Sequence, residues 1–92
     1  MDIDKEFEYA VNYINSSEKI NTNKKLTINN ELKLYFYSYY KQATIGDCNI
    51  NRPTGIFDIT SKLKYDAWKK LEGVSQNEAK KKYIEKFKLF IH

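Results

Sequence analysis

The sequence predicts an all-α fold, a four-helix bundle, on three observations. Long stretches of its 92 residues carry apolar side chains at helical spacing, and only three glycines and one proline interrupt them. No segment alternates apolar and polar residues convincingly enough to read as a strand. Four helical segments separated by turn chemistry pack as a bundle.

The first helix covers about residues 4–15, where Phe7, Ala10, Val11 and Ile14 recur at i, i+3, i+4 and i+7. Residues 16–28 are polar, asparagine-rich and aperiodic, and read as a flexible loop. Asn29 or Asn30 then caps a second helix that runs to about Thr44, with Gly46 as the stop signal. Residues 45–60 hold Gly-Asp, Arg-Pro and Thr-Gly pairs without periodicity, a long connection built from turn residues. Thr60 or Ser61 caps a third helix through Leu71, with Leu63, Ala67 and Leu71 facing inward beside Trp68, and Gly73 ends it. Ser75-Gln76-Asn77-Glu78 is a capping box and starts the fourth helix. In its fairly apolar sector Lys80 is expected to snorkel.

Size and composition narrow the function. A chain of this length reads as one domain, 1–92, with a single modest core. It has no run of about 18 apolar residues and no basic-then-apolar leader. The lone Cys48 excludes an internal disulfide, so a soluble protein of a reducing compartment, the cytoplasm, is the expectation. The formal charge is +4, and of the sixteen basic residues only Arg52 is not lysine. Lysine meets a compact phosphate as a point charge, whereas arginine is the usual reader of base edges. With no nucleic-acid-binding signature present, nucleic acid is not expected as a partner. The runs Lys24-Lys25 and Lys80-Lys81-Lys82 read as solvated faces.

Enzyme chemistry is not expected either. His92 is the last residue, Cys48 sits in a turn with no histidine near it in sequence, and Asp47 reads as a brace for the Gly46 turn. One cysteine and one histidine do not make a metal site.

The second helix carries two stripes. Leu32, Tyr35, Phe36, Tyr39 and Ala43 form one, and Tyr37, Tyr40, Lys41 and Thr44 form another about 130° away. One stripe suffices to dock a helix on a bundle. The second stripe alone does not separate a broad core face with a solvated lysine from a half-wet site, where a ring packs and its hydroxyl stays hydrogen-bonded. Lys62 and Lys64 at the start of the third helix add positive charge to a helix terminus that is already positive, an arrangement suited to an anion.

The string YSYYKQATIGDCNINRP, followed by SKLKYDAW and later AKKKYI, resembles the acyl-CoA-binding protein family over about Leu32–Tyr83. The resemblance implies an up-down-down-up four-helix bundle without catalytic activity or cofactor, whose ligand is medium- to long-chain acyl-CoA. It implies that Tyr37, Tyr40, Lys41, Lys64 and Tyr83 gather round the adenine ring and 3′-phosphate. Leu34, one turn before Tyr37 and Ser38, would line the acyl groove, and Val11 would approach the adenine side. Asn15 stands where many members carry a lysine. The segment 16–28 is longer than usual, Arg52-Pro53-Thr54-Gly55 has one residue more than the common pattern, and Tyr65 replaces a common tryptophan. The expected partners are acyl-CoA esters and the enzymes that use them, with transient contact at a membrane surface during delivery, for a monomeric carrier. An adaptor module with vestigial ligand binding is the alternative.

Overall fold

A computed structural model gives the fold and describes residues 2–20 and 30–91. Four helices follow one another: α1 (Ile3–Ile20), α2 (Asn30–Thr44), α3 (Ile59–Lys69) and α4 (Gln76–Phe90). They form an all-α four-helix bundle in which α4 packs against α1 and α2, and α2 packs against α3. No helix among the described residues is long and apolar enough to cross a membrane.

The Asp2 side chain opens α1 by accepting a hydrogen bond from the Asp4 amide at 3.1 Å. The helix then runs through Ile20, so residues 16–20, expected to begin a loop, are helical. Neither glycine nor proline interrupts them, and each added residue gains a backbone hydrogen bond once the helix exists. The rest of the expected loop, 21–28, lies outside the described residues, as do the candidate cap Asn29, Lys24-Lys25 and His92. Asn30 is the first helical residue of α2 rather than its cap. Gly46, at φ +101°, takes the left-handed conformation that stops α2.

The third helix departs most from expectation. It begins at Ile59 after Asp58, not at a Thr60 or Ser61 cap, and it closes at Lys69 instead of Leu71. Trp68 is its buried anchor, and the indole Nε1 donates to the Gly46 carbonyl at 2.8 Å. Five residues along a helix is a rotation of about 140°, so burying Trp68 turns Leu63 outward. Leu63 is accordingly exposed instead of facing inward. The capping box of α4 forms as expected, with Ser75 accepting from the Glu78 amide at 3.1 Å. Lys80 is half-buried and reaches the Asp4 carboxylate on α1, Nζ to Oδ1 2.7 Å.

The core joins Phe7, Ala10 and Ile14 of α1, Phe36 and Ala43 of α2, and Ala79, Tyr83, Ile84 and Phe87 of α4. Tyr83 lies edge-on to Phe7, with ring centroids 5.1 Å apart, and tilted against Phe36 at 4.8 Å. Aromatic pairs of this kind contribute about 0.5–1.5 kcal/mol beyond their buried area. Because α1 and α2 each lean on α4, the space between them above Tyr83 is left as a cavity.

Candidate functional site

That cavity, about 650 Å³, is walled by α1, α2 and α3, with α4 supplying Tyr83. It brings together Val11 and Asn15 of α1, Tyr37, Tyr40 and Lys41 of α2, Lys64 of α3 and Tyr83 of α4. Leu34 and Ser38 lie apart from its lining. Ser38 is buried, and its hydroxyl donates to the Tyr35 carbonyl at 3.0 Å. Lys62, grouped in sequence with Lys64, does not line the cavity.

Two of its lysines approach the Tyr37 ring. The Lys64 ammonium stands 5.2 Å from the ring centroid and the Lys41 ammonium 5.8 Å from it. Lys41 also lies 5.7 Å from the Trp68 ring. Contacts of this type contribute about 0.5–1 kcal/mol where water has access, enough to orient a long side chain without using up its charge. Neither lysine makes an ion pair with any described residue. Burial pushes the Tyr37 phenol above its ordinary range, and the nearby Cys48 side chain adds to the shift. The phenol therefore stays protonated and can donate a hydrogen bond at neutral pH. Tyr40 is partly exposed and stacks on Phe7 at 6.2 Å with planes 17° apart.

Ile14, Asn30, Lys33, Phe36 and Thr60 also line the cavity, and none of them was named as a site residue from the sequence. Lys33 precedes Tyr37 by four residues and Thr60 precedes Lys64 by four. The i, i+4 rule alone would have placed both on the cavity side of their helices. The lining among the described residues holds three lysines and no carboxylate, so its field favours an anion. Val11 and Tyr40 separate it from a shallower cavity of about 530 Å³ whose lining includes Asp4 and Glu8. That second lining also contains Lys80, so the first cavity is the more positive of the two.

A hydrogen-bonded brace fixes the end of α2 next to this cavity. Gln42 is fully buried, and its Nε2 donates to Asp47 Oδ1 at 2.9 Å and to the Val74 carbonyl at 2.7 Å. Both partners are acceptors, which settles the orientation of the amide. Asp47 Oδ1 also accepts from the Gly73 amide at 2.9 Å. That backbone bond, then Gln42, holds the Asp47 carboxyl below the usual carboxylate range. The brace expected of Asp47 thus reaches beyond the Gly46 turn to the α3–α4 connection. Among the described residues no cluster of histidine, cysteine, aspartate and glutamate could hold a metal ion.

The profile of the family described as acyl CoA binding protein matches residues 4–87. The chain belongs to the acyl-CoA-binding protein family. Members of this family are non-catalytic binding proteins, and acyl-CoA binding is the coarse function that membership carries. The chain is 47% identical over 85 residues to acyl-CoA-binding protein homolog 3 of Caenorhabditis elegans, covering 92% of this chain and 70% of the relative. It is 50% identical over 72 residues to acyl-CoA-binding domain-containing protein 3 of Oryza sativa subsp. japonica, covering 78% of this chain and 45% of that protein. Against acyl-CoA-binding domain-containing protein 5 of Xenopus laevis, at 42% identity, it covers 92% of this chain but spans only 17% of the relative. Among solved structures, the acyl-CoA-binding protein of Moniliophthora perniciosa superimposes with a TM-score of 0.81 at 38% identity, covering 99% of this chain and 92% of that one. Acyl-CoA-binding protein 2 of Oryza sativa gives a TM-score of 0.77 at 39% identity, with coverage of 98% and 91%.

Proposed function

We propose that this protein is an intracellular carrier of medium- to long-chain acyl-CoA esters, which buffers them and delivers them to lipid-metabolising enzymes. The observation that carries the reading is the cavity in which Tyr37 stands between the Lys41 and Lys64 ammonium groups, with Tyr40 and Tyr83 beside it and no carboxylate in the described lining. Coenzyme A presents an aromatic base, a 3′-phosphate and a pyrophosphate to such a site. Base stacking on a ring contributes about 1–3 kcal/mol, and a charge-assisted hydrogen bond to phosphate roughly 1.5–3 kcal/mol. Burying an acyl chain gains on the order of 0.8 kcal/mol per methylene, so a dozen methylenes give roughly 10 kcal/mol before association and ordering costs. The acyl chain is the largest favourable contribution, and the head-group cavity restricts binding to chains carried on coenzyme A.

Calorimetric titration with palmitoyl-CoA, myristoyl-CoA and free coenzyme A tests this. Tight one-to-one binding of both esters, with free coenzyme A far weaker, is the expected result. Equal, weak binding of all three would reduce the function to head-group recognition. No binding of any would contradict the carrier reading and favour an adaptor.

A further inference from the structure

The long connection between α2 and α3 ends in an unusual tip. The Asp58 amide donates to the Gly55 carbonyl at 3.2 Å, closing a turn whose two corner residues are Ile56 and Phe57. Turn corners normally carry glycine, proline, asparagine, aspartate or serine, which supply the backbone angles or the local side-chain hydrogen bonds that a turn needs. Here Ile56 is 81% exposed and Phe57 94%, and Ile59 follows at 65%. The exposed Tyr9, by contrast, lies edge-on to Tyr13 and Phe87. Phe57 has no ring contact among the described residues. The fold gains nothing from these side chains where they stand.

Charge and shape select what covers them. Lys62 lies on the first turn of α3, its amide donating to the Asp58 carbonyl at 3.2 Å, and Lys64 follows two residues later. Asp58 is the only acidic residue between Cys48 and Tyr65, against Arg52 and these two lysines. Arg52 is already paired with Asp66, Nε to Oδ1 3.0 Å. A convex apolar tip with lysines behind it matches a surface that is greasy inside and negative outside. Thr60 and Lys64 line the 650 Å³ cavity, so the tip lies within about one helical turn of its lining along the chain.

We propose that Ile56 and Phe57, with Ile59, insert into the interfacial layer of an anionic lipid bilayer while Lys62 meets the lipid phosphates. Apolar side chains gain by leaving water at the headgroup–acyl boundary, and each lysine near an anionic surface adds to the attraction. The docking places the cavity mouth at the membrane, where an amphiphile with a long chain can pass between bilayer and protein. The proposal takes its purpose from the carrier reading, but the flotation that tests it uses no acyl-CoA.

The experiment is flotation of the full chain with phosphatidylcholine vesicles, with and without phosphatidylserine, for the wild type and for the double variant Ile56→Ser, Phe57→Ser. The wild type should float with the anionic vesicles and less with the neutral ones. The double variant should lose roughly tenfold or more of that partition, since two large apolar side chains no longer leave water. Its thermal melting and its calorimetric acyl-CoA affinity in vesicle-free solution should match the wild type. Three results would overturn the proposal: no flotation of the wild type, flotation unchanged in the variant, or a concentration-dependent dimer that the variant abolishes. A matching loss of acyl-CoA affinity without vesicles would also overturn it, by showing that the tip covers the ligand instead. Failure of the carrier reading looks different, because the wild type would then bind no acyl-CoA in solution, whatever it does with vesicles.

Discussion

Lys41 and Gln42 are neighbours in the chain and solve opposite problems. Gln42 is fully buried and uses its amide nitrogen internally, on Asp47 and on the Val74 carbonyl. Lys41 is half-exposed, rests against the Tyr37 and Trp68 rings, and keeps its charge unpaired among the described residues. A rotation of about 100° per residue is enough to put one side chain in the brace and the next in the cavity. The KQATIGD string is therefore two devices interleaved. One set of residues fixes where the end of α2 sits relative to the α3–α4 connection. The other presents a cation at the place so fixed.

If the division is real, substitutions on the two sides should fail in different assays. Gln42→Ala is the largest expected effect: it removes two hydrogen bonds, leaves the Val74 carbonyl short of a donor and opens space in a site with no exposure. A loss of about 2–4 kcal/mol of unfolding free energy, read by chemical denaturation, is expected. Lys41→Ala should leave the melting temperature within a degree or so and weaken acyl-CoA binding by about 1.5–3 kcal/mol, read by calorimetry. Asp47→Asn is the smallest and shows as a pH dependence. The Asp47 carboxyl is held low by the Gly73 amide and Gln42, so its stabilisation is present above the unfolded value of about 3.9 and lost as pH falls through the folded value. The stability difference between wild type and Asp47→Asn should therefore shrink below about pH 4, as thermal melts across that range would reveal.

Much of the architecture was legible because local chemistry and packing agree. Phe7, Ala10 and Ile14 fall on one face and are buried together, and the Ser75 box caps α4 in the structure as its spacing requires. Gly46 was readable as a stop because a left-handed residue there spares a side chain the strain. Helical spacing put Tyr37, Tyr40 and Lys41 on one stripe of α2, but it was the family resemblance that marked the stripe as a ligand site, and Lys33, on the same stripe, was not named. What could not be read were choices made by tertiary contact. Trp68 takes the buried position on α3 through its bond to the Gly46 carbonyl, 22 residues away in sequence, and periodicity within α3 holds no record of that. Hydrophobicity likewise suggested burial for Leu63, and it stands in water. Tyr83 combines two roles: it is a core residue by burial and a cavity residue by position. Replacing it with alanine would confuse stability with binding.

In the proposed carrier, the lysines round Tyr37 hold the phosphates of the ligand's nucleotide. The most direct test is a calorimetric cycle that pairs wild type and Lys41→Ala with palmitoyl-CoA and with its 3′-dephospho analogue. Removing the lysine should cost about 1.5–3 kcal/mol against palmitoyl-CoA and much less against the analogue, because each change removes one partner of the same contact. Equal losses against both ligands, with the variant folded, would contradict it and place the 3′-phosphate elsewhere.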